Sequence, residues 1–247
     1  MGLIFEVNYA ILPLMNGLKL ELCVASVEAI DLASKYGFDR IELCQSLEQG
    51  GLTPSAGLVD YALNLGLSTH VLIRPRAGGF CYSHKELTII QREIDNCRRI
   101  GAHGVVVGIL MENYNVDKLI LKSLKECAPE LEWTFHRAFD ESIDWKHSLE
   151  VLIDIGFNRV LTSGFASNVE LGIAELSEMC AYAKNNIEIM AGGGVNAGNI
   201  HKLANINGLS GIHFSATQKV LLDEDSAFSE TILRVSESKL KRILSAI

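Results

Sequence analysis

Ionisable side chains that could carry out chemistry follow a strand-like run near the middle of the chain. A stretch of aromatic and β-branched residues ends at Phe135 and is followed by His136, Arg137 and Asp140. A histidine can act as a general acid or base near neutral pH, and an arginine can bind carboxylate or phosphate oxygens. A change from apolar to ionisable residues just before a helical pattern is typical of the carboxyl end of a strand, where α/β proteins bind ligands.

Further arginines are expected near this strand end. Arg74 and Arg76 lie at the end of the third predicted strand, so together with Arg137 they would place two or three guanidinium groups at one mouth of the barrel. Such a group favours an anionic ligand held by paired hydrogen bonds. The alternative is internal ion pairing with Asp140 and with the glutamates of the first two strands, and both arrangements can hold together.

A glycine-rich turn offers a second element of an anion site. Gly192, Gly193 and Gly194 follow the seventh strand-like run, Ser163 follows the sixth and Ser215 follows the eighth. Exposed backbone N–H groups after the last two strands occupy the usual phosphate position of a (β/α)8 barrel. The alternative is a tight turn that simply requires glycine.

Two cysteines share a pattern on the first two strands. Glu21 and Cys23 repeat as Glu42 and Cys44, and side chains two residues apart on a strand point to the same face. Two thiolates without nitrogen ligands suit a soft ion such as Cu(I) better than zinc. The alternative is that both are small buried hydrophobic residues, as unpaired cysteines usually are.

Composition bounds the class of protein. The 247 residues are 48% hydrophobic and carry a net charge of -8, which argues against an extended basic surface for nucleic acid. The six cysteines form no C-x-x-C pair, a usage typical of a reducing cytosol. Residues 1–17 are apolar but carry Glu6 and lack a basic start, so we expect an N-terminal extension rather than a secretory signal. No apolar run approaches the roughly 20 residues of a membrane span.

Strands and helices alternate along the rest of the chain. Glycines at the helix-to-strand turns, such as Gly37 and Gly156, fit the left-handed conformation that ends a helix. Capping signals are predicted at Thr53, at Ser83 with Glu86 and at Ser167 with Glu170. The predicted strands are 19–24, 40–44, 69–75, 104–110, 131–137, 159–162, 187–190 and 211–215, and a helical tail is predicted from about 228.

Eight β/α units in about 250 residues predict an α/β fold of the (β/α)8 TIM-barrel type, with a single domain over residues 18–247. A doubly wound open sheet is the alternative. It is disfavoured because no G-x-G-x-x-G motif follows the first strand.

Several long motifs follow one another along the chain: RIELC…GGLTPS (40–55), VLIRPR (71–76), TFHRAFD (134–140), RVLTSG (159–164) and IMAGGGV (189–195). In this order they resemble the CutC family of copper homeostasis proteins. The resemblance implies a cytosolic TIM barrel, often a homodimer, that is associated with copper tolerance and binds Cu(I). The cysteines proposed for copper in the family's animal members match Cys23 and Cys44. The family has no firmly assigned reaction and implies no organic cofactor.

Two functional hypotheses follow from these residues. The first is a cytosolic copper homeostasis protein that binds Cu(I) through Cys23 and Cys44. The second is an enzyme or binding protein for a small anionic metabolite, such as a phosphorylated one, without nucleic acid or membrane as a partner. There the arginines and the glycine-rich turn would hold the anion, and the candidates for moving a proton are His136, Glu42 and Asp140.

Overall fold

Eight parallel strands form a closed barrel in which each strand pairs with the next and the last pairs with the first. The computed structural model describes residues 17–222 and 230–247. The barrel strands are β1 (Lys19–Val24), β2 (Arg40–Leu43), β3 (Thr69–Leu72), β4 (Gly104–Val107), β5 (Glu132–Phe135), β6 (Arg159–Thr162), β7 (Glu188–Gly192) and β8 (Gly211–Phe214).

Helices connect the strands and cover the outside of the barrel. They are α1 (Val27–Tyr36), α2 (Ala56–Asn64), α3 (His84–Arg99), α4 (Lys118–Cys127), α5 (Trp145–Ile155), α6 (Ile173–Ala183), α7 (Ile200–Ala204) and α8 (Glu237–Leu244). Within the two described ranges, none of these helices combines the length and the apolar character needed to cross a membrane.

The single-domain TIM barrel predicted from the sequence is confirmed. The doubly wound alternative is excluded because β1 pairs in parallel with β8, with Leu20 opposite Ile212, so the sheet has no open edge. The predicted N-terminal extension, residues 1–17, lies outside the described residues except for Gly17.

Alternation along β1 shows how the strands position the site. Leu20, Leu22 and Val24 are buried in the main hydrophobic core between barrel and helices. Glu21 and Cys23 point to the opposite face, the barrel interior, where Glu21 contacts the His213 side chain. Cys23 therefore lies inside the barrel near the carboxyl ends of the strands.

The predicted helical tail from about residue 228 is wrong in its first part. Residues 217–222 form β9 (Thr217–Leu222), which pairs antiparallel with β10 (Glu230–Val235). The β-branched residues Thr231, Ile232 and Val235 favour this strand. The helix begins only after Ser236, whose side chain accepts a hydrogen bond from the Lys239 N–H.

The predicted helix caps were right in one case and wrong in two. Ser83 and Glu86 form the expected capping box at the start of α3. The cap of α2 is Ser55 rather than Thr53, because the Thr53 hydroxyl accepts a hydrogen bond from the Arg74 N–H at 2.9 Å. The box at Ser167 does not form, and α6 begins only at Ile173 after Gly172.

Candidate functional site

A cavity of about 510 Å³ lies at the carboxyl ends of the barrel strands. Such a volume is typical of a small-molecule site. Nine of the residues predicted from the sequence line it: Cys23, Glu42, Arg74, His136, Arg137, Asp140, Gly193, Gly194 and Ser215. Four others, Cys44, Arg76, Ser163 and Gly192, are not among the residues that line this central cavity.

Cys23 and Cys44 form a thiol pair at the floor of the central cavity, where Cys23 lines the cavity and Cys44 lies buried behind it. Their sulfur atoms are 3.8 Å apart, because Cys44 directly follows β2 and its N–H bonds the Val24 carbonyl of β1. Cys44 is fully buried and Leu72 packs against the pair. The hydrogen bond to Cys44 and burial raise the pKa of the Cys23 thiol well above its usual range. The Cys23 thiol is therefore protonated at neutral pH.

His213 at the end of β8 joins the thiol pair to two glutamates. Its Nδ1 is 2.7 Å from Glu21 Oε1 and 3.9 Å from Glu42 Oε2, and its ring lies within 4.8 Å of the Cys23 sulfur. One donor atom from each of Cys23, Glu42 and His213 lies within 4.8 Å of the others. These three residues could hold a metal ion.

The charges of this group are strongly coupled. Burial acts to lower the pKa of His213, but Glu42, Cys23 and Glu21 outweigh it and raise the pKa well above 6.5. Burial raises the pKa of Glu42 to about 7, assisted by repulsion from Glu21 and opposed by His213. Arg40 outweighs burial and lowers the pKa of Glu21. Glu42 is thus a carboxyl group that can hold or release a proton near neutral pH.

His213 was missing from the residues singled out in the sequence. It was visible at the end of the eighth strand, but nothing in a linear pattern placed it beside the first two. The signal lies in the fold: once the barrel closes, β8 lies next to β1, and the register sets His213 directly opposite Glu21.

Arg74 and His136 are buried side by side in the cavity wall. The Arg74 guanidinium donates to the carbonyl oxygens of Gln49, Gly51 and Gly78 at 2.8–2.9 Å, so it is held by backbone rather than by a carboxylate. The Phe80 ring lies 5.3 Å from its Cζ and 4.9 Å from the His136 ring. The internal ion pair considered for this arginine therefore does not form.

His136 is held as a neutral imidazole. Its Nδ1 accepts a hydrogen bond of 3.0 Å from the Ala138 N–H, which leaves the proton on Nε2. Burial and the Arg74 cation lower its pKa to about 3. His136 is thus a hydrogen-bond donor at neutral pH, and its role in proton transfer stays a prediction.

Arg137 and Asp140 form the internal ion pair that the sequence allowed. Arg137 Nε donates to Asp140 Oδ2 at 2.9 Å, and Nη2 donates to Ser163 Oγ at 2.9 Å. The Asp140 carboxylate also accepts hydrogen bonds from Thr162 and from the N–H groups of Ser163 and Phe165. Asp140 therefore holds Arg137 and the loop after β6 in place.

Arg76 lies away from the central cavity. Its guanidinium pairs with Glu86 of the α3 capping box and donates to the carbonyls of Gly79 and Cys81. Its charge also lies 4.8 Å from the centre of the Tyr82 ring. These contacts shape the loop between β3 and α3.

Comparison with known proteins identifies the family. A model of the CutC family matches residues 18–218. A family protein CutC of Bacteroides fragilis is 41% identical over 208 residues, which cover 83% of this chain and 83% of that protein. A family protein CutC of Glaesserella parasuis is 37% identical over 240 residues, which cover 93% of this chain and 99% of that protein.

Solved structures agree with this match. A CutC protein of Streptococcus agalactiae, for which a role in copper homeostasis is proposed, superposes with a TM-score of 0.75 at 33% identity. The superposition covers 79% of this chain and 97% of that one. A deoxyribose phosphate aldolase of Aeropyrum pernix matches with a TM-score of 0.58 at 16% identity, a likeness that shows the barrel fold alone. With its family-model match and its relatives at about 40% identity, the chain belongs to the CutC family.

Proposed function

We propose that this protein acts in copper homeostasis by binding Cu(I) through Cys23 and Cys44, with His213 as a third ligand. The observation that carries the proposal is the separation of 3.8 Å between the two sulfur atoms on neighbouring strands. Thiolates are soft ligands that suit Cu(I), although zinc also binds them, so the test includes zinc as a competitor.

The separation of the sulfurs supports a site with three ligands. With metal–sulfur bonds of about 2.3 Å, sulfurs 3.8 Å apart subtend an angle of about 110° at the metal. A bent pair leaves room for a third donor, and His213 is adjacent to Cys23. Glu21 holds Nδ1 of His213 and so orients the ring, an arrangement found behind many metal-binding histidines.

The environment supports a buried site in a reducing compartment. Cys44 is fully buried and Cys23 is 7% exposed, so the bound ion would be shielded from water and oxidants. All six cysteines of the chain are free thiols, as in proteins of the cytosol. These free thiols support our proposal that the protein is cytosolic. Because both thiols and the protonated His213 ring must each lose a proton to act as ligands, copper binding would release protons.

An anaerobic titration against a chromogenic Cu(I) chelator tests this proposal. We expect one ion per chain, and an affinity lower by about 100-fold or more in Cys44→Ser, because the remaining donors do not make a soft site. His213→Gln should lower the affinity by roughly 10–100-fold if the ring completes the ligand set.

Cys97→Ser is the matched control, since Cys97 is also buried but lies on α3. Its copper affinity should equal that of the unchanged protein. Copper binding by Cys44→Ser at full affinity would rule out the thiol pair. Zinc binding that displaces Cu(I) at equal concentration would contradict the copper assignment, because two cysteines with one histidine can also serve zinc.

A further inference from the structure

The thiol pair occupies only the floor of the central cavity, and a different group of residues forms its wall after β5, β7 and β8. This cationic wall consists of Arg137, Gly193, Gly194, Ser215 and Lys239, all of which line the cavity. The copper proposal uses none of them.

Arg137 and Gly193 are fitted to one another. A Cβ atom added at Gly193 would lie 3.0 Å from Cζ and Nη1 of Arg137 and 3.2 Å from its Nε. Such similar distances place the face of the guanidinium against the glycine. Asp140 and Ser163 hold Nε and Nη2, whereas Nη1 makes no hydrogen bond to any described residue. The arginine is thus fixed in place with donors to spare.

The wall continues with further donors along β7 and β8. Gly193 and Gly194 both have positive φ, and the N–H groups of these two residues take no part in the hydrogen bonds found within residues 17–222 and 230–247. Lys239 of α8 also lines the cavity. Its ammonium group donates one of its three protons to the Thr217 carbonyl at 2.9 Å. Ser215 lies two residues before that carbonyl.

Two buried donors in the same cavity also lack partners. Nε of Arg74 and Nε2 of His136 are both buried without a hydrogen-bond partner among the described residues, in side chains that are only 7% and 6% exposed. Leaving a buried donor unpaired is costly, so an acceptor from outside the chain is expected at His136, while the equally unpaired Tyr82 hydroxyl lies close to the Arg74 guanidinium. The Phe80 ring lies against both groups and has to turn for a ligand oxygen to reach them.

From these contacts we propose that the cavity binds a small phosphate ester, with its phosphate on the cationic wall and an oxygen acceptor of its carbon skeleton toward Arg74 and His136. Two cations and two backbone N–H groups match the charge and the several oxygens of a phosphate dianion better than a single carboxylate. The cavity of about 510 Å³ has room for such a molecule.

Isothermal titration of the full chain with inorganic phosphate and with glycerol 3-phosphate, at constant ionic strength, tests the proposal. We expect both to bind, the ester more tightly because it also reaches the second group of donors. Lys239→Gln should lower the affinity for both ligands by about tenfold, because it removes one charged hydrogen bond to the phosphate. Gly193→Ala should weaken them further, because its Cβ displaces Arg137.

Lys241→Gln is the matched control, since Lys241 is an exposed lysine on the same helix that pairs with Glu237. Its dissociation constants for both ligands should lie within about twofold of those of the unchanged protein, because a distant surface charge has only a small effect on binding. Equal weakening by Lys239→Gln and Lys241→Gln would overturn the site. An ester that binds no more tightly than inorganic phosphate would overturn the class of ligand. Cys44→Ser should retain phosphate binding, which separates this proposal from the copper site.

Discussion

Two histidines inside the barrel are neutral because they are buried. Burial lowers the pKa of His70 to about 3 against the attraction of Glu21, and nearby arginines act in the same direction as burial. Burial and Arg74 do the same for His136. In the unfolded chain both imidazoles would take up a proton near pH 6.5.

This difference predicts acid sensitivity. Between pH 6.5 and about 3 the unfolded state binds protons that the folded state does not, so the free energy of unfolding falls as the pH falls. Each histidine contributes a slope of about 1.4 kcal/mol per pH unit in that window. We expect the free energy of unfolding of His136→Gln to depend less steeply on pH, by about 1.4 kcal/mol per pH unit, which corresponds to one proton fewer. Urea unfolding at several pH values measures this slope.

The slope, and not the absolute stability, is the readout, because the substitution also alters packing. His201→Gln, at an exposed position of α7, is the control for removing a histidine. An unchanged slope in His136→Gln would show that the folded protein accepts a proton at this position.

At the scale of single residues, sequence predicted nine of the 19 residues that line the cavity, and it predicted that Cys23 and Cys44 lie on neighbouring strands. Cys23 and Glu42 follow from strand alternation, which is a local property. The unpaired donors of Arg74 and His136 could not be predicted, because they depend on which carbonyls and N–H groups the folded loops present.

At the scale of elements, the end of β4 must pass closely beside the end of β5. A Cβ atom at Gly108 would lie only 2.2 Å from His136 Cε1 and 2.7 Å from the Ala138 Cβ. These neighbours are buried and His136 is fixed by its hydrogen bond to Ala138. Glycine at 108 therefore lets the two elements meet and holds His136 in the cavity wall.

Gly108→Ala should accordingly lower the free energy of unfolding by about 1–3 kcal/mol, the usual cost of overpacking a core. Gly57→Ala is the contrasting variant, since Gly57 lies in α2 with nothing within 4 Å of its added Cβ. It should stabilise the protein by about 0.5–1 kcal/mol through helix propensity. Urea unfolding measures both, and equal stability of the two variants would contradict this account of the β4–β5 contact.

The elements themselves were largely predictable, and the errors have local causes. Every barrel strand was predicted because a buried parallel strand is a short apolar run bounded by turn residues. Thr53 and Ser167 were predicted as helix caps from short sequence signals. Such a signal fails when the hydroxyl bonds a group elsewhere in the fold, as Thr53 accepts a hydrogen bond from the Arg74 N–H. The hairpin of β9 and β10 requires residues such as Thr217 and Val235 to pair with each other, which the residue pattern of the tail alone does not reveal.

At the scale of the whole molecule, closing the barrel brings together residues far apart in the chain. Glu21 and His213 are 192 residues apart, yet they are hydrogen-bonded across the β1–β8 seam. The same carboxylate pairs with Arg40 of β2, and Glu21 and Arg40 are only 1% and 5% exposed. One buried carboxylate thus links three neighbouring strands at the point where the sheet closes.

Removing that charge should be costly for the fold. In Glu21→Gln the Arg40 cation stays buried without its counter-charge, and breaking a buried ion pair in this way costs about 3–5 kcal/mol. Because the cost comes from an uncompensated cation, the double variant Glu21→Gln/Arg40→Met should recover a part of it. Urea unfolding of the single and double variants measures this recovery. If the double variant is as unstable as the sum of its single changes, the two side chains are not coupled, and closure of the barrel depends on backbone pairing and packing rather than on this buried charge.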